Sequence, residues 1–224
     1  MAWSRVSFLA PVTAALASGC SYSPSAVETH AAAKDVRCLP VNGHRDQVGC
    51  WILATHPVAE PAGRMLYWHV YEFANAALAS RAKDEHAEMI EAYGRTYLMA
   101  VTAEQWSPKG GRHVASIGPL QTVLPVPHTA TLLQTWLVPG MQTRVHRHEG
   151  PEALMILSGE QCVETPEGHS RARQGQEVLV PAGTPMVLYA VGGGRRALTV
   201  IIHPSGQPLS HAHEWHPTGI CLGS

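Results

Sequence analysis

The run Gly140-Met-Gln-Thr-Arg-Val-His-Arg-His-Glu-Gly-Pro-Glu-Ala-Leu-Met-Ile-Leu-Ser-Gly159 constrains the fold of this chain more than any other segment. His146 and His148 are two apart, so on a strand both side chains leave one face, with Cα atoms about 6.5 Å apart, while Arg147 points the other way. Glu149, Gly150 and Pro151 supply turn chemistry, and an apolar run over residues 153–157 returns with Glu152 at its start. A hairpin of this kind brings a carboxylate back beside two imidazoles. Two histidine nitrogens and one carboxylate oxygen form a donor set that leaves open positions on Fe(II) and also suits Mn, Zn or Ni. The expected metal ligands are therefore His146, His148 and Glu152, around a divalent ion whose identity they do not fix.

The flanking glycines complete the pattern Gly-x5-His-x-His-x3-Glu-x6-Gly, and this resembles the first motif of the cupin superfamily. A second stretch, Gly175-Gln-Glu-Val-Leu-Val-Pro181-Ala-Gly183, resembles the start of the second cupin motif. There the match breaks, because Met186 stands where the family's last metal-binding His would be and Ala190 where its Asn would be. The resemblance covers residues 126–203. It implies a small antiparallel β-barrel, the double-stranded β-helix, with a metal near its wide mouth and His146, His148 and Glu152 at three ligand positions. The fourth ligand is missing. Met186 is then an apolar wall of an open three-ligand site, ordinary core filling in a site losing its metal, or a soft thioether ligand, in that order of preference.

Strand phase gives the expected lining of a pocket. Gln142 and Arg144 share the phase of the two histidines, Leu154 and Ile156 that of Glu152, and Met186, Leu188 and Ala190 share a third. Such a pocket is mainly apolar with few polar handles, the usual make-up of a small-molecule site. Gln142, Arg144 and Met186 are the expected substrate contacts, with the Arg144 guanidinium placed to pair with an anionic group. His203, at a strand end before Pro204, is expected to face solvent.

The remainder of the chain organises around this centre. Residues 1–20 read as an export segment, with Arg5 before a moderately apolar stretch and Ala-Ser-Gly-Cys at its end, which resembles a lipoprotein signal that would lipidate Cys20. Residues 21–35 are a tether. The chain is then periplasmic or membrane-anchored through Cys20; without export it is cytoplasmic. Residues 36–125 are expected to form an α+β region with strands over 47–53, 64–73, 95–102 and 112–117. One helix is expected over 76–93, capped by Asn75 and stopped by Gly94. Pro125 and Pro127 mark a boundary before the barrel. Residues 204–224, with His211, His213 and His216, read as a solvated tail with weak metal affinity.

Four cysteines remain beside Cys20, which allows three pairings that sequence does not choose among. In an oxidising compartment Cys38 with Cys50 would close a short loop and Cys162 with Cys221 would pin the tail to the barrel. With 16 basic and 17 acidic residues and no basic run, nucleic acid is not an expected partner. The expected partner is a small organic molecule, and a homodimer is compatible. The function expected is metal-dependent binding of that molecule, as an oxygenase or isomerase, with a non-enzymatic binding or sensing module as the alternative.

Overall fold

A computed structural model describes residues 36–60 and 63–222; the export segment, Cys20 and the tether fall outside the described residues. In chain order these form β1 (Cys38–Pro40), β2 (Gly49–Val58), β3 (Met65–Phe73), α1 (Ala76–Ala82), β4 (Ala87–Ala92), β5 (Arg95–Thr102), β6 (Arg112–Gln121) and β7 (His128–Leu137). The remainder comprises β8 (His146–Arg147), β9 (Glu152–Thr165), β10 (Gly168–Arg173), β11 (Glu177–Val180), β12 (Val187–Pro204) and β13 (His211–Ala212). The described residues are mainly β with one helix, in keeping with their alternating apolar patterning. No helix among the described residues is long and apolar enough to cross a membrane.

A large sheet runs β1-β2-β7-β12-β9-β10, with β11 also on β9; a second sheet runs β4-β5-β3-β6, and β13 pairs with β8. Both faces of the large sheet are buried at its centre, and β7 is buried along nearly its whole length although half of its residues are polar. On one face Leu132, Met155, Leu198 and Val200 pack against Trp68, Ile90, Tyr97 and Met99 of the second sheet. Full burial of such side chains contributes about 1.5–3 kcal/mol each. The second sheet is thus a backing that stiffens the first. The opposite face presents Cys50, Ile52, Leu133, Thr135, Leu154 and Ile201 to a cavity.

β9 and β12 pair in two stretches, Val187–Val191 opposite residues 160–164 and then residues 196–201 opposite residues 152–158, with a register shift between them. A shift of this kind bends the strands and re-aims their side chains. At the bend Gly159 has φ +74°, and a Cβ there would lie 2.4 Å from the Gly194 carbonyl oxygen. The last glycine of the motif is therefore required by backbone conformation and by close approach at once.

Two expectations need correction. The helix is short: Asn75 Oδ1 does accept from Leu78 N at 3.0 Å, but the chain leaves helical geometry at Lys83, and Asp84 Oδ1 then accepts from His86 N at 3.0 Å. From Ala87 the spacing of buried residues is strand-like, and β4 pairs with β5 across a two-residue turn, Tyr93 and Gly94, both at positive φ. Gly94 is half of a hairpin turn, not a helix stop. The tail is largely exposed but not free: β13 pairs with β8, Cys221 is disulfide-bonded to Cys162, and buried Glu164 accepts from Thr218 and Gly219. Across the prolines near residue 125, β2 pairs with β7 and the large core draws from both sides. Cys38 and Cys50 form the other disulfide, tying β1 to β2.

Candidate metal centre and cavity

The turn at Glu149, Gly150 and Pro151 is laid directly onto β12. Ile202 N donates to Pro151 O at 3.0 Å, and a Cβ on Gly150 would sit 2.0 Å from the Ile202 carbonyl oxygen. The strand before the turn is fixed by reciprocal bonds, His146 N to Met186 O at 3.1 Å and Met186 N to His146 O at 2.8 Å. The strand after it begins with Glu152, flanked by Ile201 of β12 and Val180 of β11. Two neighbouring strands therefore hold the carboxylate where the hairpin pattern places it.

Backbone carbonyls fix the orientation of both imidazoles. His146 Nδ1 lies 2.8 Å from Arg144 O and His148 Nδ1 lies 2.6 Å from Leu209 O. A carbonyl only accepts, so each Nδ1 carries the proton and each Nε2 presents its lone pair. The rings meet edge to face at 81°, centroids 4.9 Å apart. His148 Nε2 lies 3.4 Å from Glu152 Oε2, and neither atom, both buried, has a hydrogen-bond partner. One donor atom from each of His146, His148 and Glu152 falls within 4.8 Å of the others. Donors bonded to one ion at about 2.0–2.2 Å sit about 3 to 3.5 Å apart. The set therefore closes on a single ion with side-chain adjustment on the order of an ångström. Orphaned buried donors with locked tautomers are what a metal site presents before its ion is bound.

The electrostatics agree. Burial and the neighbouring His148 hold His146 below the ordinary histidine range. Burial also lowers His148, but contact with the Glu152 carboxylate outweighs it and the net shift is upward. For Glu152 burial raises the carboxyl, and His148, His146 and Arg195 more than reverse this, so it is a buried anion facing two imidazoles.

These residues line one end of a cavity of about 430 Å³ whose other walls include Leu133, Leu137, Leu154, Leu188 and Ile201. Arg144 lines its mouth. Gln142 and Met186 are not at its wall. Gln142 faces Tyr189 and His146 faces Met186, so four steps on one strand match three on the other. That extra residue reverses the phase before His146 and turns Thr143 toward the cavity in place of Gln142. Met186 is 1% exposed, packed with Leu154, Ile156 and Leu188 directly across from His146. His203 is buried, contrary to expectation; its Nε2 accepts from Thr131 Oγ1 at 2.9 Å, and its Nδ1 lies 3.1 Å from Pro204 O.

Two participants escape sequence reasoning. Leu209 lies in the segment read as tail, and only its carbonyl matters, which no side-chain pattern reveals. Arg195 directly follows the run Gly192-Gly193-Gly194, which hides the strand that ends near His203. Alternation does run Arg195, Ala197, Thr199, Ile201 on the cavity side, so extending the strand back through Gly194 would have found it.

No family model and no curated protein matches the sequence. Partial overlaps occur with solved structures. One is a DMSP lyase from Ruegeria pomeroyi, at 19% identity and TM-score 0.35, over 39% of this chain and 45% of that one. Another is an oxalate decarboxylase variant from B. subtilis, at 19% identity and TM-score 0.34, over 38% and 24%. A third is a cupin-like protein from Thermotoga maritima, at 16% identity and TM-score 0.33, over 38% and 64%. The chain spans less than two thirds of each of these proteins.

Proposed function

We propose that this protein binds one divalent first-row metal ion through His146, His148 and Glu152 and holds a small organic molecule beside it in the cavity. The observation that supports this most strongly is the pairing of buried, partnerless His148 Nε2 and Glu152 Oε2 with two histidines whose Nδ1 protons are committed to backbone carbonyls. A bound ion would supply Lewis-acid polarisation of a ligand carbonyl or activation of water or oxygen, at positions that three protein ligands leave open. The protein's own part is to fix the donors, exclude bulk water with the leucine-rich wall, and admit ligand past Arg144. Isomerase or oxygenase chemistry fits that arrangement. Binding without turnover fits it equally, and is distinguished by metal-loaded protein that takes up ligand yet consumes no oxygen and forms no product.

Glu152→Gln keeps the shape of the carboxylate and removes its charge. Calorimetric titration of chelator-stripped protein with Mn(II), Ni(II) or Zn(II) is expected to give one tight site in the parent and none in the variant. Equal affinity in both would overturn the proposal.

A further inference from the structure

Arg195 is the one buried arginine in the cavity wall, and the metal centre leaves its hydrogen-bonding capacity unused. It is fully buried, with 0% of its surface exposed, on the cavity-facing phase of β12. Nη1 donates to Thr135 Oγ1. Nε and Nη2 have no partner among the described residues. Those two atoms form one edge of the guanidinium, with parallel N–H bonds spaced to grip both oxygens of a carboxylate. The nearest ionisable groups are Glu152, already committed to the histidine pair, and Tyr93, whose own hydroxyl is buried without a partner.

A buried cation with an empty fork is costly to fold around unless something completes it. The surrounding wall restricts what that can be. Leu133, Leu137, Leu154 and Ile201 offer apolar surface, Thr135 and Thr199 add hydroxyls, and the other two arginines of the lining, Arg37 and Arg144, are exposed to solvent. A doubly charged phosphate would need more donors than one guanidinium edge provides. A monocarboxylate with an apolar body matches both the single fork and the leucines. Glu152 contributes one negative charge, while Arg195 and a divalent ion leave the interior net positive, so an anionic ligand is the one the field favours.

We infer that Arg195 is the ligand anchor of the cavity and that the small molecule it takes is a carboxylic acid with a short aliphatic body, bound through paired hydrogen bonds from Nε and Nη2. The inference rests on the proposed metal-and-ligand site but concerns a different residue and a different readout. Butyrate is the probe, with butyramide, inorganic phosphate and sulfate as controls, and binding is read by calorimetry on the full protein with metal content measured in the same samples. Butyrate is expected to bind the parent, butyramide, phosphate and sulfate markedly less, and Arg195→Met to weaken butyrate by about tenfold or more through loss of two charge-assisted hydrogen bonds, with metal content unchanged. Should Arg195→Met fold poorly, the unsubstituted protein still decides, because the Arg195 Nε–H resonance must shift as butyrate is added.

Parent protein that carries no metal yet binds butyrate through Arg195 would support the anchor and remove the metal reading. Butyrate binding unaltered by the substitution, a silent Nε–H resonance, phosphate or sulfate bound as tightly as butyrate, or no binding of butyrate at all would each overturn the anchor. Joint loss of metal and butyrate in Arg195→Met would also overturn it, since Arg195 would then act by holding Glu152.

Discussion

Replacing Cys162 and Cys221 together by serine tests whether the C-terminal segment is part of the metal centre. The bond spans 59 residues of sequence, and the loop-closure entropy restored to the unfolded chain at that length is worth about 4 kcal/mol at 25 °C. Without it the segment keeps the Glu164 hydrogen bonds to Thr218 and Gly219 and the short β13–β8 pairing. Each such bond contributes about 1 kcal/mol net. These contacts are comparable with what has been lost, so the segment detaches in part of the population. Detachment takes the Leu209 carbonyl from His148 Nδ1 and frees the ring to turn. Loss of the outer partner of a ligating histidine costs about 10–100-fold in metal affinity. Urea unfolding and metal calorimetry on the oxidised proteins are expected to show stability lower by about 4 kcal/mol and metal binding weaker by about tenfold. Reduced stability with unchanged metal affinity would refute the coupling of tail to site. A stability change below about 1 kcal/mol would refute the loop-closure reasoning itself.

Three further outcomes follow from single positions. Gly159→Ala meets both a left-handed backbone and the Gly194 carbonyl, and is expected to lose at least about 1–2 kcal/mol; a melting temperature equal to the parent's would contradict the required bend. Met186→His adds a donor directly across from His146; metal-free protein is expected to lose about 1–3 kcal/mol from burying an unpaired polar group, while divalent metal binds more tightly, and unchanged affinity would show that position 186 does not reach the ion. Burial depresses His69, His128, His146 and His203 below 6.5, against one histidine, His148, held above it. A depressed histidine takes up its proton more readily unfolded than folded, so stability is held above 6.5 and lost as pH falls through and below it. Melting of metal-free protein is expected to drop between about pH 7.5 and 5.5, less steeply in His203→Gln; a flat profile would contradict the shifts.

The His146, His148 and Glu152 cluster was legible because a hairpin with period two leaves little freedom: His146 and His148 must share a face, and Glu152 must start the returning strand. Length misled where two periods compete. Leu78, Ala82, Met89 and Tyr93 fit a helical face on paper, yet Asp84 caps a turn and Met89 ends up 37% exposed on β4. Phase counting failed at Gln142, because a one-residue bulge between it and His146 is invisible in composition and breaks the phase there. The C-terminal segment was half legible: its Pro, Gly, Ser and His are largely exposed as composition suggests, but its attachment through β13 and the Glu164 carboxylate was not visible in sequence. Arg195 was overlooked because a charged residue after three glycines reads as a loop. The value of that guanidinium comes from burial, which only the folded sheet creates.

Metal content of purified full-length protein is the most direct test of the centre, with the exposed tail histidines removed beforehand by His213→Gln and His216→Gln. In that background the parent is compared with a His146→Ala/His148→Ala variant, each dialysed against excess divalent ion and then free of it. The parent is expected to retain about one ion per chain, as one three-ligand site holds, and the variant essentially none. Equal metal in the two proteins would contradict the assignment of His146, His148 and Glu152 as the metal centre.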